Sequence, residues 1–123
     1  MQKINTMSED RIQADFYQTA FNTYPQIRGL LFAVPNGGSR DVREGAKLKA
    51  TGTTAGIPDM LLLWGGTIYG FEFKTETGVL SEAQRKIHQR WKDAGYSVAV
   101  YRSSEAALTA LRLIIFGEPV KAV

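Results

Sequence analysis

The sequence predicts an α/β fold with a central mixed sheet flanked by helices, on three observations. Stretches with apolar residues at helical spacing alternate with short β-type runs bounded by glycine and proline. Two of those runs are joined by Gly65-Gly66, which reads as a hairpin turn. A helical stretch then separates the hairpin from the next run, and a helical crossover can lay that run down parallel.

Ser8 is placed to cap a first helix, with Glu9 and Asp10 at the positive end of its dipole. Ile12, Phe16 and Ala20, with Phe21 and Tyr24 alongside, form an apolar stripe that stops before Pro25. Residues 29–34 read as a strand, stopped by Pro35-Asn36-Gly37-Gly38. A basic helical stretch over 39–50 follows, then a loop with glycines at 52 and 56. Residues 59–64 and 67–74 are the hairpin strands. Met60, Leu62 and Trp64 lie on one face and Leu61 and Leu63 on the other, so both faces call for cover. Ser81 opens a helix that closes near Gly95, 96–101 is a further strand, and Ser103 or Ser104 caps a last helix carrying Leu108, Leu111 and Ile115 on one face.

The 123 residues fit one domain, 1–123, with no internal repeat or linker. The absence of cysteine excludes disulfides, thiolate metal sites and a thiol nucleophile, and it fits a reducing cytoplasm. No apolar run approaches the roughly 18 residues of a membrane span, and the polar start is no signal peptide. The net charge of +3 is compatible with a polyanionic partner without requiring one. The sequence has no G-x-S-x-G, G-x-G-x-x-G or Walker motif, and no organic cofactor is expected.

The hairpin carries the chemistry. A two-residue loop at Gly65-Gly66 pairs Trp64 with Thr67, and counting back sets Asp59 opposite Glu72, with Cβ atoms about 4.5–5.5 Å apart. Lys74, two residues beyond Glu72, projects from the same face. Two opposed carboxylates among apolar residues need compensation. A hard divalent cation would supply it, and so would a salt bridge shared with Lys74. The residues alone leave both open.

Pro58-Asp59, a spacer, then Glu72-Phe73-Lys74 resembles the PD-(D/E)XK nuclease signature. The longer succession is Pro35-Asn36-Gly37-Gly38, Gly45-Ala46-Lys47-Leu48-Lys49-Ala50-Thr51-Gly52, Gly56-Ile57-Pro58-Asp59, Glu72-Phe73-Lys74, Gly78-Val79-Leu80-Ser81 and Gln84. In that order it resembles the VRR-NUC (virus-type replication-repair nuclease) family from Glu9 to about Leu111. The resemblance implies a PD-(D/E)XK, restriction-endonuclease-like core and a catalytic set of Asp59, Glu72, Lys74 and Gln84. It also implies a Mg2+ or Mn2+ ion held by Glu9, Asp59, Glu72 and the Phe73 main-chain carbonyl. Stand-alone members resemble junction-resolving and flap-cutting nucleases. The implied partner is therefore branched DNA, cut by a homodimer, in a bacterial or phage-infected cell.

Each supporting residue has a plainer role beside this one. Glu9 shares the stripe of Ile12 and Phe16, yet also suits a helix N-terminus. Ser81 and Gln84 form an S-x-x-Q capping box that competes for the same amide. His88, the single histidine, reads as a partly exposed helix residue. Arg40, Arg43, Lys47 and Lys49 form a basic surface suited to DNA phosphates, or a solvated helix face. Trp64, Phe71, Phe73 and Trp91 read as core. Rival functions are a restriction-type, sequence-specific endonuclease and a non-catalytic DNA-binding or assembly subunit.

Overall fold

A computed structural model describes residues 8–35 and 42–117, with Val42 and Glu44 described in their backbone only. Helix α1 (Glu9–Thr23) begins where Ser8 Oγ accepts the Arg11 N–H at 3.1 Å. It buries Ile12, Phe16 and Ala20. It ends before Tyr24, which cannot stay helical ahead of Pro25, and the chain adds a 3-10 turn at Pro25–Ile27 that the sequence did not predict. Strand β1 (Leu31–Ala33), helix α2 (Val42–Ala50), the hairpin strands β2 (Met60–Trp64) and β3 (Thr67–Phe73), helix α3 (Glu82–Asp93), strand β4 (Ser97–Tyr101) and helix α4 (Ser104–Phe116) follow in the expected order. Ser103 is the residue that caps α4.

The sheet order is β1-β2-β3-β4. Strands β1, β2 and β3 pair antiparallel, whereas β4, reached through α3, runs parallel to β3. The hairpin register runs from Trp64↔Thr67 to Met60↔Phe71, as counted from the turn, and both turn glycines take positive φ.

One face of the sheet presents Leu31, Met60, Leu62, Phe71 and Phe73 to α1 and to Ala107 and Leu111 of α4. The Phe16 ring lies 5.2 Å from Phe71 and 5.5 Å from Phe73, so both strand aromatics are anchored beneath α1. Burying each such ring contributes roughly 1.5–3 kcal/mol. Alternation then turns Glu72, which lies between them, to the opposite face, toward α3. Cover on that second face is partial: α3 lies against β4 and Glu72, and Leu63 on β2 stays 37% exposed. The expected cover of both hairpin faces is thus incomplete at Leu63. Among the described residues, no helix is long and apolar enough to cross a membrane.

Candidate active site

Two close approaches set the position of Asp59. A side chain at Gly56, which has φ +91°, would fall on the Ala83 carbonyl and lie 3.0 Å from the Gln84 nitrogen, so the loop backbone seats directly on the first turn of α3. Two residues on, the buried Pro58 ring occupies the space over Gly70, where a Cβ would come within 2.8 Å of it. These contacts deliver Asp59 to the end of the hairpin. Gly56→Ala is expected to destabilise the protein by about 1–3 kcal/mol, from strain at positive φ and the clash with α3. A urea unfolding curve checks this, and an unchanged midpoint would show that the loop is not seated there.

Asp59 precedes β2 and is tied on both sides. Its carbonyl accepts the Val34 N–H at 2.8 Å, and its Oδ2 accepts the Phe73 N–H at 2.7 Å. Continuing the register would set Pro58 opposite Phe73. Proline has no N–H to give, so the regular β2–β3 ladder is not continued at that pair.

Glu72 is the most buried ionisable side chain among the described residues, at 1% exposure. Burial, then the neighbouring Asp59 carboxylate and the hydrogen bond between the two, push its carboxyl up to about 8, against an ordinary value of 4.5. Lys74 acts in the opposite direction and Glu9 adds to the rise. Lys74 is itself buried, at 8% exposure, with its Nζ 3.9 Å from Glu9 Oε2. Glu9, Asp59, Glu72 and Lys74 thus form one electrostatic cluster, drawn from the start of α1 and the end of the hairpin.

Helix α3 closes the cluster from above. The two roles expected to compete for Gln84 are divided between the ends of its amide. Oε1 accepts the Ser81 N–H at 2.8 Å, completing the capping box, while Nε2 donates to Glu72 Oε2 at 3.1 Å. His88, one turn later, is buried rather than partly exposed, at 5%, and its Nε2 lies 3.1 Å from Glu72 Oε1. Burial, with Lys92 next in effect, lowers its pKa and favours the neutral imidazole. The spacing of Gln84 and His88 was visible in the sequence. What was not visible is that the crossover lays this face of α3 onto Glu72.

The loop after Lys74 is pinned from outside. Arg102 donates to the Thr75 and Gly78 carbonyls at 2.7 and 2.6 Å, and Arg85 donates to the Leu80 carbonyl at 2.8 Å. Neither arginine stood out in the sequence: Arg102 acts on carbonyls more than twenty residues away, and Arg85 on a loop carbonyl whose placing no spacing gives. Arg43, Lys47 and Lys49 lie exposed on α2, and Arg40 falls outside the described residues. An open apolar depression of about 600 Å³ lies at the other end of the hairpin, around Trp64, Gly65 and Tyr96, away from the carboxylates.

Among the described residues, no group of three or more His, Cys, Asp or Glu side chains is arranged to hold a metal ion. The residues that could hold one, the Asp59 and Glu72 carboxylates and the Phe73 main-chain carbonyl, would offer oxygen alone. Such a set suits a hard cation that keeps several waters, as Mg2+ does. Glu9 borders this set through Lys74.

The VRR-NUC domain family model matches residues 7–105. The chain belongs to the VRR-NUC family. A solved structure described as a VRR_NUC domain protein is similar, with a TM-score of 0.74 at 17% identity, over 89% of this chain and 89% of that one. No curated protein matches the sequence. VRR-NUC membership makes this a nuclease-type domain. Its mixed four-stranded sheet between helices is consistent with a PD-(D/E)XK-like core.

Proposed function

We propose that this VRR-NUC protein is a metal-dependent DNA endonuclease that hydrolyses phosphodiester bonds in branched DNA. The observation that carries the reading is the buried Glu72 carboxylate beside Asp59 at a sheet end, with the Lys74 ammonium in the same cluster. Asp59, Glu72 and the Phe73 carbonyl would hold Mg2+ or Mn2+. When bound, that ion would polarise a phosphoryl oxygen and lower the pKa of a water.

Within this frame Lys74 offsets negative charge developing on the phosphoryl group or steadies the attacking hydroxide. Its burial strengthens that effect and keeps the ammonium in place. Gln84 fixes Glu72 through Nε2, and Glu9 holds the Lys74 ammonium toward the α1 side. Arg43, Lys47 and Lys49 on α2 would track DNA phosphates and make binding fall with salt. Cutting a four-way junction symmetrically needs two such sites, which a homodimer of this small chain would supply.

A cleavage panel in Mg2+ or Mn2+ tests the reading, using a four-way junction, a flap, plain duplex and single strand, with Asp59→Asn as control. Cutting of the junction or flap in preference to the duplex, lost with EDTA and in the control, is the expected result. Duplex cutting confined to one short motif would replace it with a restriction-type enzyme. Tight DNA binding with no cutting would point to a non-catalytic subunit.

A further inference from the structure

Helix α3 holds both oxygens of one carboxylate. Gln84 Nε2 donates to Glu72 Oε2, and His88 Nε2 meets Glu72 Oε1, each at 3.1 Å. The two residues stand four apart, so one helix face presents both nitrogens to the same group. His88 sits at 5% exposure beside a Glu72 at 1%, which leaves little room for either to reorient. A carboxylate has about four acceptor lone pairs, so these two bonds and the hydrogen bond shared with Asp59 still leave Glu72 acceptor capacity.

We propose that His88 is a positioning residue for the cation site, its Nε2–H fixing the Glu72 carboxylate for ligation. The inference rests on the reading of Asp59 and Glu72 as cation ligands and adds a residue to it. A neutral imidazole with its proton on Nε2 is a single, rigid donor to Oε1. The Gln84 amide is already held at its other end by the Ser81 N–H, so it cannot follow Glu72 if that group turns. His88 completes a two-point grip that neither residue provides alone. Partners that orient a ligand in this way typically change metal affinity by about 10- to 100-fold when removed.

The sequence has one histidine, so in tag-free protein its ring nitrogens give unambiguous 15N signals. Mg2+ added without DNA is expected to shift the His88 Nε2 resonance in the wild type and to leave it unmoved in Asp59→Asn. In parallel, calorimetry with Mn2+ is expected to show roughly 10- to 100-fold weaker binding for His88→Leu. His88→Gln, whose amide can place a donor near the same point, should stay within about threefold of wild type. A histidine that only filled space would give equal Mn2+ affinity in all three proteins and no Mg2+-dependent shift, and that result overturns the proposal. If Mn2+ binding depends on Asp59 but not on His88, positioning alone fails. If it is absent or indifferent to Asp59, the ligand reading fails with it. The 15N shift needs no change at His88, so its absence from the wild type overturns the proposal even where His88→Leu does not fold.

Discussion

Asp59→Asn is expected to abolish cleavage, by roughly a thousandfold or more, while raising the melting temperature of the cation-free protein. The asparagine oxygen can still accept the Phe73 N–H, so the hairpin end keeps its shape. What disappears is the negative charge that, after burial, contributes most to the raised pKa of Glu72. Relieving an opposed like-charge pair is worth about 1 kcal/mol, or roughly 4 °C for a domain of this size. Differential scanning fluorimetry in EDTA near pH 8 measures it. Mg2+ should then stabilise the wild type and leave the variant unchanged, because only the wild type retains both carboxylate ligands. A purely structural salt bridge to Lys74 makes the opposite forecast, with the variant melting lower and Mg2+ without effect.

The same pair dictates a pH dependence. With folded Glu72 raised to about 8 from an ordinary 4.5, both folded and unfolded chains hold its proton below about pH 4.5, and its contribution is complete there. Between those values the unfolded chain releases the proton and the folded one keeps it. Stability of the cation-free protein therefore falls as pH rises through this window, by at most about 1.4 kcal/mol per pH unit from this group. In Asp59→Asn the window should close at a lower pH, so the total loss across it should be smaller.

How far the sequence reached follows from which contacts are local. A two-residue turn propagates its register without loss, so the placing of Asp59 next to Glu72 was countable from Gly65-Gly66 and matches the observed pairing up to Met60↔Phe71. Helix caps and apolar stripes are equally local, and Ser8, Ser81 and the Ile12-Phe16-Ala20 stripe were legible for that reason. The family resemblance added a site role for Glu9 and Gln84, which local pattern alone gives as a helix-start charge and a capping residue. Contacts that depend on how layers stack were not legible. His88 at Glu72 and Arg102 at the loop after Lys74 join segments whose relation is fixed only by the crossover of α3 and β4, and Pro58 over Gly70 depends on how the loop before β2 folds back on the hairpin. Gly70 left a trace, a glycine inside an otherwise apolar strand, which signals a close approach without saying to what.

Lys74→Met is expected to lower kcat by roughly 10²–10³ while leaving Mn2+ binding near pH 8 intact or tighter. Methionine retains most of the buried stem and deletes only the charge, so it avoids the cavity that alanine would open at a residue 8% exposed. The cost to folding should be small. The Glu9 partner is 45% exposed and 3.9 Å away, and such pairs contribute under about 1 kcal/mol. For a cation, losing a nearby ammonium makes the two carboxylates a more attractive site, whereas a phosphoryl group gaining negative charge loses its buried counter-charge. Asp59→Asn and Lys74→Met should therefore separate: the first loses cation and activity together, the second keeps the cation and loses the rate. Calorimetry with Mn2+ and single-turnover cleavage on a preferred branched substrate read the two quantities independently. Should Lys74→Met lose cation binding in step with activity, Lys74 serves to assemble the ligands and has no separate part in the chemistry. Should it cut within tenfold of wild type, the ammonium is dispensable, and offset of the developing charge falls to the bound cation alone.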